Sequence, residues 1–147
     1  MTTHFKVIMK DGRTPFAGHL WEYPPGTWTP RKRHLWMCRS GWHVYANETA
    51  IADILRGKNH GGGRDRAGIA LLTRKALLWV AEVSGAEVRQ PRRYNRFLGC
   101  MNPSKICASR MRLLKKFTGY IITKDGLTSF AFRDGEFVSE FNIKPVA

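Results

Sequence analysis

Tyr120-Ile-Ile-Thr-Lys-Asp-Gly-Leu-Thr-Ser-Phe-Ala-Phe-Arg-Asp-Gly-Glu-Phe-Val-Ser-Glu-Phe-Asn-Ile143 is the stretch on which the fold assignment turns. Three runs rich in β-branched and aromatic residues, Tyr120 to Thr123, Thr128 to Arg133 and Glu136 to Ile143, are separated by Lys124-Asp-Gly and Arg133-Asp-Gly. Asp-Gly supplies the backbone freedom that a tight hairpin needs, so the tail (residues 119–147) reads as a β-meander. Upstream, Ala76-Leu-Leu-Trp-Val-Ala-Glu-Val83 is almost continuously apolar, the signature of a central strand. His4-Phe-Lys-Val-Ile-Met-Lys10 reads as a first strand ended by Asp11-Gly12, and Arg33 to Cys38 as a short strand leading into Arg39-Ser-Gly-Trp-His43.

Helices are fewer. Asn47 is a good N-cap, and Ala50, Ile51, Ile54 and Leu55 recur at helical spacing up to Gly57, which predicts a helix over residues 48–56. Asn102-Pro103 reads as the start of a second, on which Ile106, Met111, Leu113 and Leu114 share a face and Arg110, Arg112, Lys115 and Lys116 decorate the other sides. Residues 58–68, KNHGGGRDRAG, read as a mobile loop, and His19 to Pro30, with three prolines, as an extended segment whose Trp21, Tyr23 and Trp28 cover the core or a groove. Strands outnumber helices and do not alternate with them. The expected fold is therefore α+β: one compact domain over residues 1–147, mostly an antiparallel or mixed sheet, with two short helices and a C-terminal meander.

Composition narrows the function. A hydrophobic content of 43% in 147 residues is enough for one core and far from that of a disordered chain. No signal-peptide pattern follows Met1, and apolar runs such as Ile69 to Leu72 and Ala76 to Ala81 are broken by Thr73-Arg-Lys75, so the expected compartment is a cytoplasm without membrane attachment. Three cysteines, Cys38, Cys100 and Cys107, make no disulfide framework. Cys38, His43, Cys100 and Cys107 lack zinc-finger spacing, so the three cysteines read as small buried apolar groups and no metal or cofactor is expected.

The net charge of +14 is localised. Between Arg31 and Lys116 lie 19 bases and 5 acids, and the remainder is balanced. Such one-sided charge calls for a polyanionic partner, because bases displace condensed counterions and arginine offers a planar fork to phosphate oxygens. The basic residues form three groups: Arg31, Lys32 and Arg33; Arg89, Arg92, Arg93 and Arg96, interleaved with Tyr94 and Phe97; and Arg110, Arg112, Lys115 and Lys116. Tyr94 and Phe97 read either as stacking platforms for unpaired bases or as core. The resulting expectation is a basic nucleic-acid-binding accessory protein, with an acidic protein as a further class of partner. His43 and Glu82 are the candidates for catalysis, although Glu82 reads equally as the partner of an arginine.

Cys38-Arg-Ser-Gly-Trp-His43, then Trp79-Val-Ala-Glu82-Val-Ser-Gly85, then Arg110-Met-Arg-Leu-Leu114 together follow a pattern. This series, over roughly residues 6–114, resembles a small domain common in bacteriophage and prophage reading frames, with the pattern Cys-x-x-Gly-aromatic-His and aromatic-x-x-Glu-x-x-Gly. The resemblance implies action in a host cytoplasm on nucleic acid, on a host protein or on a nucleotide signal. A similarity to small ADP-ribosyltransferases would cast His43 as ribose anchor and Glu82 as the group polarising the reacting hydroxyl. The chain lacks that family's Arg, Ser-Thr-Ser and Glu series, and the overall expectation leans away from an enzyme.

Overall fold

The computed structural model describes residues 3–15, 18–35, 41–57, 66–89 and 105–143. Among them are β1 (His4–Met9), β2 (Trp42–Tyr45), α1 (Glu48–Arg56), α2 (Arg66–Leu72), β3 (Ala76–Arg89), β4 (Lys105–Lys116), β5 (Gly119–Ile122), β6 (Thr128–Arg133) and β7 (Glu136–Asn142). The α+β assignment and the meander hold, and every strand pairing is antiparallel. Strands β1, β2, β4 and β3 close into a barrel, while β5, β6 and β7 form a separate three-stranded sheet.

Two apolar clusters occupy opposite faces of the barrel strands. Ile8, Val44, Ala81, Ile106, Met111 and Leu113, drawn from all four strands, fill the barrel. Their sequence neighbours Val7 and Val80 point the other way and pack with Ile51, Ile54 and Leu55 of α1, Leu71 of α2, and Ile121, Phe130 and Phe132 of the meander. This is the period-2 geometry of a strand buried on both faces. Each such large side chain contributes about 1.5–3 kcal/mol when fully buried.

Helix α1 forms as its caps dictate. The Asn47 side chain accepts a hydrogen bond from the Ala50 N–H at 2.9 Å, and Gly57 closes the helix in the left-handed region at φ 76°. The meander is tied to the barrel through its second turn, where the Leu78 N–H donates to the Gly135 carbonyl and the Gly135 N–H to the Phe117 carbonyl, both at 2.8 Å. Gly135 sits at φ 84°, and a Cβ there would lie 3.1 Å from the Leu78 carbonyl oxygen.

Three expectations are corrected. Residues 105–116 are strand β4, not a helix. The pattern Arg110-Met111-Arg112-Leu113 alternates with period two between partly exposed and buried positions, and the small side chains of Cys107, Ala108 and Ser109 are buried as well. The second helix is instead Arg66–Leu72, so residues 66–68 belong to α2 and not to a loop. Its Gly68 is required by packing, since a Cβ there would fall 2.1 Å from the Ile54 carbonyl oxygen of α1. Residues 33–35 lie outside any strand, and the next described strand begins at Trp42. Residues 36–38 of that expected strand, and residues 58–65 of the expected loop, lie outside the described residues.

Candidate nucleic-acid interface

Strand β4 organises the basic surface. Its Lys105 to Ala108 segment pairs with β2, and beyond that point the same edge is covered by the proline-rich segment 24–32, which is not a regular strand. The N–H groups of Gly26, Thr29 and Lys32 donate to the carbonyls of Leu113, Met111 and Ser109 at 2.7, 2.9 and 2.9 Å. Thr29, 1% exposed, also accepts the Met111 N–H on its Oγ1 at 3.0 Å. Met111 therefore has both backbone groups tied to one residue of the strap, which fixes the strap's register.

That register delivers Trp28 to the outside. Because Thr29 and Met111 point inward, their neighbours Trp28, Arg110 and Arg112 share the outer face. The Trp28 ring lies 5.1 Å from the Arg110 guanidinium carbon and 4.6 Å from that of Arg112, so two arginines share one indole. Arg112 is held further by Glu82 across the β3–β4 pair, where Nε and Nη2 donate to the same Oε2 at 2.9 and 2.7 Å.

The other end of the strap carries Arg31, Lys32 and Arg33, all exposed. Lys32 Nζ sits 4.4 Å above the Trp42 ring, and the Trp42 indole N–H donates to the Pro30 carbonyl at 2.8 Å. Trp21, Tyr23 and Trp42 meet edge to face with centroids 5.4 to 5.9 Å apart. Lys116 Nζ lies 5.7 Å from the Trp79 ring at the far end of β4, beside the exposed Lys115, and Lys105 Nζ lies 5.6 Å from the Tyr45 ring at the near end.

Behind the strap, Lys6 Nζ donates to the His43 carbonyl at 2.7 Å and stands 5.6 Å from the Trp21 ring. Burial, followed by the charge of Lys105, pulls the Lys6 ammonium down from the usual 10.5 to about 7. Burial and then the charges of Lys6, Lys105 and Lys32 lower the His43 imidazole to about 4. Burial is the larger cause of both shifts; only the smaller part, due to neighbouring charge, is one that an added anion relieves.

The structure thus brings two of the three basic groups together: Arg31 to Arg33 on the strap and Arg110 with Arg112 on β4. Arg110, Arg112, Lys115 and Lys116 do so as strand residues, not as the end of a helix. Arg89 closes β3, whereas Arg92, Arg93, Tyr94, Arg96 and Phe97, like Cys38 and Cys100, lie outside the described residues. His43 and Glu82 are kept apart: they pair with Cys107 and Arg112 on opposite sides of β4. Five residue steps along the strand separate those partners, roughly 16 Å. Lys6 and Lys105 escaped sequence reasoning because each is an isolated lysine in a strand, and only the barrel closure brings them to the same histidine. No described helix is long and apolar enough to cross a membrane. Comparison with known proteins gives no relative to place beside this geometry, since no family model, no curated protein sequence and no solved structure matches the chain.

Proposed function

We propose that the protein binds nucleic acid in single-stranded form, along the surface formed by the strap and β4. The observation that carries this reading is Trp28, fixed by the Thr29 and Met111 backbone bonds with Arg110 and Arg112 against its ring. An indole held rigidly beside two guanidinium groups offers a stacking surface for an unpaired base and charge for the flanking phosphates. Arg31, Lys32 and Arg33 extend the same charge along the strap. The charge balance of +14 supplies long-range attraction to any polyanion, and the stacked arrangement favours a base-bearing one. The phage-type resemblance fits an accessory protein of this kind acting in a host cytoplasm.

Binding of labelled single-stranded oligonucleotides, measured against salt concentration, tests the proposal. Affinity should fall steeply with salt, and Arg110→Ala with Arg112→Ala should lower the slope of log K against log salt by about 1 to 2. Trp28→Ala should weaken binding by about 1–3 kcal/mol at constant slope. Binding that is insensitive to salt, or equally strong for a base-free polyanion, refutes it.

A further inference from the structure

The outer face of the β5–β6–β7 sheet is apolar and uncovered among the described residues. Of the nine large hydrophobic side chains exposed among the described residues, six lie between residues 120 and 143: Tyr120, Ile122, Leu127, Phe141 and Ile143, with Val138 at the bulge in the β6–β7 pairing. Pairing places Tyr120 opposite Ala131 and Ser139, and Ile122 opposite Ser129 and Phe141. These residues alternate with Ile121, Phe130 and Phe132, which point into the core. The Tyr120 and Phe141 rings lean across β6 to meet at 6.1 Å, edge to face, which leaves Ser129 beneath them 2% exposed. At one end the Ile143 N–H donates to the Leu127 carbonyl at 2.8 Å, which ties the last two of these side chains' backbones together.

We propose that this face is the contact between two copies of the chain, packed sheet against sheet around a twofold axis. Charge selects the occupant. Between Phe117 and Ile143 the bases Lys124 and Arg133 are outweighed by Asp125, Asp134, Glu136 and Glu140, a balance of −2 in a chain of +14. Two copies that approach by any face carrying β4 or the strap bring like charge together, whereas approach through the meander keeps those surfaces apart. A polyanion is disfavoured here by the same acids. Extent agrees: the exposed Tyr120, Ile122, Leu127, Phe141 and Ile143 lie on or beside all three strands, the apolar core of an interface whose polar rim has to complete the roughly 800 Å² per partner of a stable complex. Stacked sheets with small residues in the central strand and large ones on the flanks pack face to face at about 10 Å.

Sedimentation equilibrium on the full chain, treated with nuclease and held at about 0.5 M salt, tests this, since nucleic-acid bridging is removed under those conditions and apolar contact is not. The expected mass at micromolar concentration is twice 16.8 kDa. Tyr120→Glu and Phe141→Glu, at exposed positions, should each raise the dissociation constant at least about tenfold with an unchanged far-ultraviolet spectrum. A wild-type monomer at about 100 µM overturns the proposal. So does a dimer that both variants leave intact, or association that disappears as salt is raised. Oligonucleotide binding through Trp28, Arg110 and Arg112 is expected to persist in the monomeric variants, so failure of the dimer and failure of the nucleic-acid reading are distinguishable.

Discussion

Replacing Lys6 by Met should flatten the alkaline limb of the stability curve. The ammonium titrates near 7 in the folded chain and near 10.5 once unfolded. Between those values the unfolded chain holds a proton at Lys6 that the folded chain lacks, so stability rises with pH across this window; below it both states are charged and Lys6 adds no slope. The limiting slope for one proton is about 1.4 kcal/mol per pH unit. Lys6 retains partial contact with solvent, which screens its charge, so a gain of about 1 to 2 kcal/mol over two pH units is expected. Met keeps the length and apolar stem but cannot titrate. It also leaves the His43 carbonyl without the Lys6 donor, a cost of about 1 kcal/mol that is independent of pH. Urea unfolding of wild type and Lys6→Met at fixed ionic strength, at several values from neutral to alkaline pH, gives the difference directly. A difference that stays constant over that range refutes the argument that the amine is desolvated.

His43 gives the acidic counterpart. Its imidazole titrates at about 4 in the fold against an ordinary 6.5, so stability falls as pH drops through that interval, by about 2 kcal/mol more in wild type than in His43→Gln, as acid-induced unfolding will show. Gly68→Ala, which a helical propensity scale favours by about 1 kcal/mol, should instead cost about 2–3 kcal/mol because the new methyl meets the Ile54 carbonyl; an unchanged melting temperature would contradict the tight α1–α2 crossing. Glu82→Gln should strengthen oligonucleotide binding by about two- to fivefold, since it unmasks Arg112 while removing only a partly exposed ion pair, and a loss of affinity would place the carboxylate in a different role.

The elements with local punctuation were legible in the sequence. Asn47 and Gly57 bracket α1, and the two Asp-Gly turns mark off the strands of the meander, because capping and turn chemistry act over three or four residues. Strand β4 was not, because Asn102-Pro103 offered helix-start chemistry and the apolar side chains after it satisfy a helical template nearly as well as a strand. Cys107, Ala108 and Ser109 lie under cover that only the folded barrel provides. Helix α2 was hidden by Gly68, a poor helix former kept for its lack of a side chain. Of the candidate interface, the basic residues were visible as charge and Trp28 as an aromatic in an extended segment. Their meeting depends on Thr29 finding Met111 across 82 residues, a register that no local pattern encodes.

The strap that carries Trp28 also finishes the barrel, since it holds the β4 edge where β2 has ended. Its amide protons at Gly26, Thr29 and Lys32 are sealed only while it stays down, so solvent exchange at these three sites reports how often the wall opens. Anything that stacks on the indole must keep the strap seated, and part of its binding free energy is therefore spent on the barrel itself. On the proposed reading, occupancy and wall integrity are one equilibrium observed from two sides: a chain loosened at Thr29 should bind less tightly although every contact to the ligand is intact.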